Sequence, residues 1–372
     1  MQIPALTGIR AIAAYLVFFH HFPVSQWVRG DFDYFREFHI GVTLFFVLSG
    51  FLITYRYRDA LQLNHKWLIT YFQNRFARIY PLYFVLIVLT LIIVQASGEF
   101  TITWREWFLN LTLVKGFFDQ YKFYGIAQSW SLTVEECFYA SAPLIFLASR
   151  KGLWRPLVFF TALLAVLLAL VAYVPPLTEL IGPPRFILLY TFFGRFFEFL
   201  TGMFLARQML DGKIGPPAVK RFPIFTTTGV LGIAGCVAAL VLLEDEIFSY
   251  GLYHPLGIAT NNLVLPLFIV VLYYGLIYER SPLRWLLATR LFDLLGKSSY
   301  AFYLIHKGVF YPLLSEKTAA LSGWAFGNPV AASVEGALNA PLLQFVITVL
   351  LSIAAYKLIE APLSNLIRKV KV

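Results

Sequence analysis

Long apolar runs are the sequence feature that most limits the folds open to this chain. Ten such runs are present, each close to the roughly 20 residues that an α-helix needs to cross a bilayer. None of them alternates polar and apolar residues, as the strands of a membrane barrel do. The sequence therefore predicts an all-α, polytopic transmembrane helical bundle of about ten spans. The predicted spans lie at residues 4–22, 40–55, 79–96, 131–149, 156–174, 186–206, 222–243, 256–278, 298–315 and 341–359.

The composition excludes a soluble globular domain and a disordered chain. Hydrophobic residues make up 59% of the 372 residues and charged residues only 13%, against about 45–50% and about 25% in soluble domains. The two cysteines, Cys137 and Cys236, both fall inside apolar runs. Neither a disulfide framework nor a cysteine metal site is therefore expected, and no Cys/His spacing typical of a bound metal is present.

The placement of the basic residues predicts the orientation in the membrane. Of the 30 lysines and arginines, twenty lie on the side of the N-terminus, eight lie near the other side, and Arg10 and Arg195 lie within spans. Cytoplasmic loops carry an excess of basic residues, so both termini are expected in the cytoplasm. The charges follow the alternation of the loops and form no single patch, which argues against nucleic acid as a partner.

Arg10 and His21 are ionisable residues inside the first predicted span, where such groups are costly and are candidates for function. They are eleven residues apart, which is about 1100° of helical rotation, so both side chains share one stripe. Ala14 and Val17 lie between them and are small enough to leave a channel. His20 points about 80° away from Arg10, so the geometry favours His21 as a general base and His20 as a structural histidine.

Arg75 and Arg78 precede the third predicted span in the segment NRFARIYPLY. Residues three apart face the same way on a helix, and two guanidinium groups so placed form a fork suited to phosphate. An ordinary cluster of positive charge on the inner side explains the same pattern equally well. Pro81 is expected near the start of this helix, where proline is tolerated.

Glu135 and Glu136 lie at the start of the fourth predicted span. One glutamate near a helix N-terminus is ordinary capping chemistry, with Ser131 as the cap. Two adjacent glutamates point about 100° apart, which leaves one of them free to orient or charge-balance His21.

Two further pairs of ionisable residues fall inside spans. Arg195 and Glu198 have the spacing of a structural ion pair within one helix. His306 and Lys307 either line the same cavity as His21 or extend outward to the interface. The sequence contains no Walker loop, HExxH or GxSxG motif, so a phosphotransferase or zinc hydrolase is not supported.

Seven segments of the sequence carry a resemblance that runs the whole length of the chain. As a set they resemble the acyltransferase-3 family of integral-membrane acyltransferases, which O-acylate bacterial polysaccharides, lipopolysaccharide, peptidoglycan and some small molecules. The segments are LTGIRAIAAYLVFFHH (6–21), GVTLFFVLSGFLITYR (41–56), NRFARIYPLYF (74–84), SWSLTVEECFY (129–139), RFFEFLTGMFLA (195–206), GKSSYAFYLIH (296–306) and IEAPLSNLI (359–367).

The resemblance implies roles for particular residues. The family pattern of a basic residue, ten others and a histidine maps onto Arg10 and His21, and its RxxR pattern maps onto Arg75 and Arg78. It implies that His21 is the catalytic base and that the three arginines handle an acyl-CoA donor. The remaining candidates for the catalytic group and the pocket are Glu135, Glu136, Ser49, Ser129, Trp130, Ser131, Arg195, Glu198 and His306.

The resemblance also implies an activity. We expect a multi-pass protein of the bacterial inner membrane that moves an acyl group, by default acetyl from cytoplasmic acetyl-CoA, to a hydroxyl of a cell-surface or exported glycan without a metal. Residues 1–372 are expected to form a single membrane-embedded acyltransferase domain, without the extracytoplasmic hydrolase-like domain of many relatives. The alternative is a proton-coupled transporter that uses the intramembrane Arg, His and Glu residues. The pattern indicates no oligomeric state.

Overall fold

The protein is an all-α, polytopic membrane bundle. The computed structural model describes residues 3–22, 34–62, 64–98, 101–215, 222–310 and 331–370, with side chains in the last stretch from residue 343 onward. No strand occurs in these residues, which confirms the predicted fold class.

Sixteen α-helices build the described part of the bundle, together with short 3-10 and π-helical turns. The helices are α1 (Pro4–His21), α2 (Ile40–Tyr57), α3 (His65–Ala96), α4 (Trp104–Leu111), α5 (Trp130–Ala148), α6 (Trp154–Tyr173), α7 (Pro175–Leu180), α8 (Pro184–Tyr190), α9 (Phe192–Leu210), α10 (Ile224–Val241), α11 (Pro255–Ala259), α12 (Leu265–Tyr278), α13 (Pro282–Leu287), α14 (Arg290–Ile305), α15 (Ala331–Ala355) and α16 (Ala361–Lys369).

Seven helical segments in the described residues are long and apolar enough to cross a membrane. The ten-span count and the cytoplasmic termini stay predictions. The last five residues of the predicted ninth span, 311–315, lie outside the described residues. The seven segments are Tyr34–Tyr57, His65–Ala96, Trp154–Tyr173, Pro184–Leu210, Ile224–Val241, Pro255–Tyr278 and Leu343–Lys369.

Helix α3 is longer than the predicted span of 79–96, because 32 residues from His65 to Ala96 form one helix. The side chain of Asn64 caps its N-terminus by accepting a hydrogen bond from Trp67 N. The expectation that Pro81 lies near the helix start is wrong, because Pro81 lies in the helix interior. The polar turns before the apolar run continue the helix, so Arg75 and Arg78 lie on a regular helical surface.

The predicted span at 186–206 is two helices, α8 and α9, separated by Thr191 in an extended conformation (φ −114°, ψ 159°). A break at this depth frees backbone carbonyls that must find other donors. Asn262 Nδ2 donates to the carbonyl of Leu188 at 2.8 Å, and Arg195 Nη1 donates to that of Leu189 at 3.2 Å. Asn262 lies on the π-helical turn Thr260–Val264, so this irregular turn supplies a hydrogen-bond donor to a carbonyl freed by the break between α8 and α9.

Helices α2 and α9 form the centre of the bundle and contact each other through glycines. A Cβ on Gly202 would lie 1.9 Å from the carbonyl oxygen of Val47, and one on Gly50 would lie 2.1 Å from that of Phe199. Small residues allow such close backbone approach between membrane helices, where dispersion contacts drive association. The packing of α2 on α9 therefore depends on these two positions.

We expect Gly202→Ala to lower the folded yield and thermal stability of the detergent-solubilised protein, because the added methyl group forces α2 and α9 apart. The matched control is Gly235→Ala on α10, where an added Cβ meets no atom within 4 Å. This control should be neutral or slightly stabilising, since alanine favours a helix by about 1 kcal/mol over glycine. Equal melting temperatures for the two variants would contradict the packing argument.

Candidate functional site

A cavity of about 680 Å³ lies among α1, α2, α3, α5, α14 and the C-terminal helix. We call it the arginine cavity. Its described lining contains six basic side chains but only one carboxylate, that of Glu135. Such an imbalance favours an anionic ligand. The basic residues are Arg10, Arg56, Arg75, Arg78, Lys297 and Arg368.

Arg75 and Arg78 face the arginine cavity together, as their spacing predicts. Arg75 Nη2 donates to the hydroxyl of Tyr57 at 3.1 Å, and its guanidinium lies over the rings of Tyr57 and Tyr139. Arg78 Nη1 donates to Glu360 Oε1 at 2.6 Å. Arg75 Nε and Arg78 Nη2 are buried without a hydrogen-bond partner in the described structure, so both groups retain donors.

Arg10 enters the same cavity from α1. Its guanidinium makes no hydrogen bond or ion pair with the described part of the chain. Glu135 and Glu360 are its acidic neighbours, yet both carboxylates are hydrogen-bonded elsewhere. Arg10 is half-buried, and a cation that is partly removed from water without a bonded partner is costly, so its position suits an anionic ligand.

Glu135 lines the arginine cavity, whereas Glu136 lines neither this cavity nor the separate cavity that contains His21. The hydroxyl of Ser49 donates to Glu135 Oε1 at 2.5 Å, and the hydroxyl of Tyr139 donates to the same oxygen. The carboxylate is therefore held by α2 and by its own helix. Neither glutamate lines the cavity that contains His21, and Glu135 is bonded to Ser49 and Tyr139 instead.

A second cavity of about 480 Å³ contains His21, and we call it the histidine cavity. Lys307 Nζ lies 3.3 Å from His21 Nδ1, and the ring of His306 stacks on that of His21 with centroids 5.4 Å apart. No carboxylate is found among its described lining residues. Beside Phe123 and the histidines, its aromatic lining consists of Trp130, Tyr190, Tyr250, Tyr253 and Tyr303.

His20 also lines the histidine cavity, because it occupies the last turn of α1 beside His21. Its Nδ1 donates to the carbonyl of Arg36 at 2.5 Å, which holds the ring against the 3-10 turn Tyr34–His39 that follows α1. The neighbouring His39 bonds through Nε2 to the buried carboxylate of Glu37 at 2.8 Å. These two histidines are thus fixed by structural partners.

The two cavities meet at Val42 and Tyr303, which line both of them. The predicted channel along one stripe of α1 is wrong at Ala14, because Ala14 is fully buried and packs against Phe18 and Phe302. Val17 lines only the histidine cavity. Arg10 and His21 therefore face different cavities, and the connection between them runs past α2 and α14.

The SWSL segment spans the junction of the cavities. Trp130 lines the histidine cavity and Ser131 lines the arginine cavity, while Ser129 lies behind them and donates to the carbonyl of Ile126. Lys115 anchors the loop before this segment by donating to the backbone carbonyls of Tyr124 and Ile126. Complete burial lowers the pKa of Lys115 to about 7.

The predicted ion pair between Arg195 and Glu198 is present, with Arg195 Nη2 2.8 Å from Glu198 Oε1 and both side chains buried. Thr43 joins them, accepting from Arg195 at 3.0 Å and contacting Glu198 Oε1 at 3.3 Å. Arg195 also lines the histidine cavity. The pair therefore ties α9 to α2 beneath that cavity.

His306 is completely buried behind His21, and its Nδ1 bonds to the carbonyl of Tyr303 at 2.8 Å. Lys307 lines the histidine cavity instead of extending to the interface. Across the described residues, no group of three His, Cys, Asp or Glu side chains is placed to hold a metal ion.

Sequence reasoning missed several residues of these cavities. Tyr303, Gln128 and Glu360 all lie in or beside segments that carry the family resemblance, but no charge pattern singles them out. Glu360 offers the clearest signal, because a carboxylate near the end of an apolar run needs a partner. Its partner, Arg78, is distant in sequence and could not be assigned without the fold.

The model of the acyltransferase-3 family, an acyltransferase domain, matches residues 3–357 of the chain. The chain belongs to this family. The match includes every described lining residue of the two cavities except Arg368. No solved structure matches the chain.

Several curated proteins are similar to this acyltransferase-3 chain. It is 26% identical to the peptidoglycan O-acetyltransferase OatA of Listeria monocytogenes, over 97% of this chain and 56% of that protein. It is 25% identical to the O-acetyltransferase OatA of Staphylococcus aureus, over 97% and 57%. It is 26% identical to the acyltransferase MdmB of Streptomyces mycarofaciens, over 82% and 78%. The chain thus spans little more than half the length of the OatA proteins.

Replacing Glu198 by Gln should destabilise the protein, because the charge of Arg195 then stays buried without its carboxylate. A loss of about 3–5 kcal/mol in the free energy of unfolding is expected, measured as a lower unfolding midpoint in detergent. The double variant Arg195→Met, Glu198→Met should recover most of it. The control is Glu179→Gln at an exposed position of α7; equal midpoints for the two glutamine variants would contradict a structural pair.

Proposed function

We propose that this protein is an O-acyltransferase of the bacterial cytoplasmic membrane, with residues 1–372 acting as one membrane-embedded domain. An acyl-CoA, by default acetyl-CoA, binds in the arginine cavity, and a glycan hydroxyl binds in the histidine cavity. The observation that carries this proposal is that a strongly basic cavity and a histidine-containing cavity share two lining residues, Val42 and Tyr303. Membership of the acyltransferase-3 family supports it.

The charge of the arginine cavity supports the assignment of the donor. Coenzyme A carries a diphosphate and a 3′-phosphate, and guanidinium groups bind phosphate through paired N–H donors. Arg75 and Arg78 keep buried donors without partners, and Arg10 has no bonded partner among the described residues. These three arginines are assigned to the donor.

The position of His21 supports its assignment as the general base. The imidazole takes the proton of the acceptor hydroxyl while the hydroxyl oxygen attacks the thioester carbonyl carbon. The carbon–sulfur bond then breaks, and the proton passes to the departing coenzyme A thiolate. Lys307 Nζ lies 3.3 Å from His21 Nδ1 and orients the ring.

The two glutamates have separate places in this scheme. Glu135 is assigned to the arginine cavity, where it holds the hydroxyl of Ser49 and balances part of the positive charge. A direct role of Glu136 finds no support in the cavity linings. The hydroxyls of Ser131 and Tyr303 lie 2.8 Å apart beside the junction of the cavities. We assign them to donate to the thioester oxygen in place of the carbonyl of Gln128.

The lining of the histidine cavity supports a sugar as the acceptor. Trp130, Tyr190, Tyr250 and Tyr253 present aromatic rings, and the amphipathic rings of Tyr and Trp suit ligands with both apolar faces and hydroxyls. Two relatives are named O-acetyltransferases, one of them for peptidoglycan. Together these points support an envelope glycan as the acceptor.

The donor assignment predicts that Arg75→Gln, Arg78→Gln weakens acetyl-CoA binding to the purified, solubilised protein by at least about a hundredfold. Each charged hydrogen bond contributes roughly 1.5–3 kcal/mol, and wild-type affinity should fall with added salt. Titration calorimetry gives both quantities. The matched control is Arg150→Gln, Arg155→Gln, two arginines at exposed positions outside the cavity. Unchanged affinity in the first variant would exclude the phosphate role.

The assignment of the base predicts that His21→Ala abolishes transfer and preserves acetyl-CoA binding. Loss of a general base lowers the rate by about 10²–10⁴. The measurement is the alkali-labile acetate on envelope glycans of cells that produce each variant at equal level. His65→Ala, at an exposed position on α3, is the control. Near wild-type O-acetylation by His21→Ala would rule out His21 as the base.

A further inference from the structure

Only two of the described residues, Val42 and Tyr303, line both cavities. We call this pair of side chains the partition. Val42 lies at the start of α2 and Tyr303 lies near the end of α14. Both are at most one-tenth exposed. The arginine cavity and the cavity that contains His21 therefore adjoin at these two side chains.

Tyr303 is held at both ends. Its hydroxyl lies 2.8 Å from Ser131 Oγ and donates to the carbonyl of Gln128 at 3.1 Å. The amide nitrogen of Gln128 in turn donates to the carbonyls of Tyr303 and Leu304 at 2.8 and 3.0 Å. The backbone carbonyl of Gln128 thus holds the hydroxyl of Tyr303, and the side chain of Gln128 holds the backbone of Tyr303. The ring of Tyr303 therefore has little freedom to rotate.

Val42 is held by the packing of α1 on α2. A Cβ on the preceding Gly41 would lie 2.2 Å from the carbonyl oxygen of Ala13, so the two backbones are already in contact. One turn further along, the ring of Phe45 contacts that of Tyr303 in an edge-on arrangement, with centroids 5.9 Å apart. Neither side of the partition can retreat without moving a helix.

We propose that the partition selects the donor by the length of its acyl group. This inference rests on the proposed function, in which coenzyme A occupies the arginine cavity and His21 lies beyond the partition. The thioester carbonyl then reaches the junction, and the acyl carbons fill the space between Val42 and Tyr303. An acetyl group places one methyl group there, whereas each further methylene of a longer acyl group would clash with the fixed side chains of Val42 and Tyr303.

The test measures the affinity of the full-length protein in lipid nanodiscs for coenzyme A, acetyl-CoA, butanoyl-CoA and hexanoyl-CoA. A methylene that a pocket accepts or rejects changes discrimination by about 10–200-fold. In the wild-type protein, we expect hexanoyl-CoA to bind at least about tenfold more weakly than acetyl-CoA. Val42→Ala should reduce this ratio at least about tenfold, while the affinity for coenzyme A itself stays unchanged.

Two further variants keep the test decisive if Val42→Ala does not fold. Val42→Ile narrows the partition and should weaken the binding of acetyl-CoA relative to that of coenzyme A. Tyr303→Phe removes the hydroxyl that holds the ring and should strengthen the binding of hexanoyl-CoA. The matched control is Val47→Ala, which removes the same atoms from a fully buried position of the same helix. Because Val47 lines neither cavity, its variant should keep the wild-type ratio.

The outcomes separate this inference from the proposed function. The selection of acyl length would be overturned by equal affinities for all acyl chains in the wild-type protein. It would also be overturned by affinity ratios that the Val42 variants leave unchanged. In both cases, binding of coenzyme A would still support the donor site. A change of the ratio in Val47→Ala as large as in Val42→Ala would assign the effect to general loosening of α2. Absence of coenzyme A binding in every folded variant would overturn the proposed function itself.

Discussion

The pairing of Arg195 with Glu198 is the interaction on which the centre of this bundle depends. Neither charge is tolerable alone at a buried position, and the shared hydroxyl of Thr43 extends the pair from α9 to α2. Asn261 and Asn262 continue the network into a π-helical turn and satisfy the broken helix before α9. Residue 43 directly follows Val42, so the same network that closes the broken helix also fixes one side of the junction between the cavities.

The bundle separates two kinds of chemistry that interfere when mixed. Strong cations gather in one cavity with tyrosine hydroxyls and rings around them, and histidines gather in the other with aromatic rings. A carboxylate beside His21 would form an ion pair with the protonated imidazole, and a phosphate beside it would do the same. Because Glu135 is held by Ser49 beside the arginines, the described lining of the histidine cavity contains no carboxylate, and Lys307 lies next to the imidazole.

The sequence predicts the parts of this architecture that depend on local spacing. Apolar length predicts the helices, the i, i+3 spacing predicts that Arg75 and Arg78 share a face, and the same spacing predicts the pair of Arg195 and Glu198. What it misses depends on contacts distant in sequence. Arg78 pairs with Glu360, and Glu135 accepts a hydrogen bond from Ser49. Arg10 and His21 are not joined along α1, because Phe302 of another helix packs on Ala14. No periodicity along one helix contains that information.

The length of α3 has a consequence for depth in the membrane. Its 32 residues span about 48 Å at 1.5 Å per residue, whereas the hydrocarbon layer is about 30 Å thick. The apolar part after Arg78, residues 79–96, spans about 27 Å at this rise, which is close to the thickness of that layer. Under the proposed function, this length leaves the phosphates of the donor near the lipid headgroups and only its uncharged arm in the interior. The depth of the two arginines along α3 would then set how far the uncharged arm of the donor extends into the bundle.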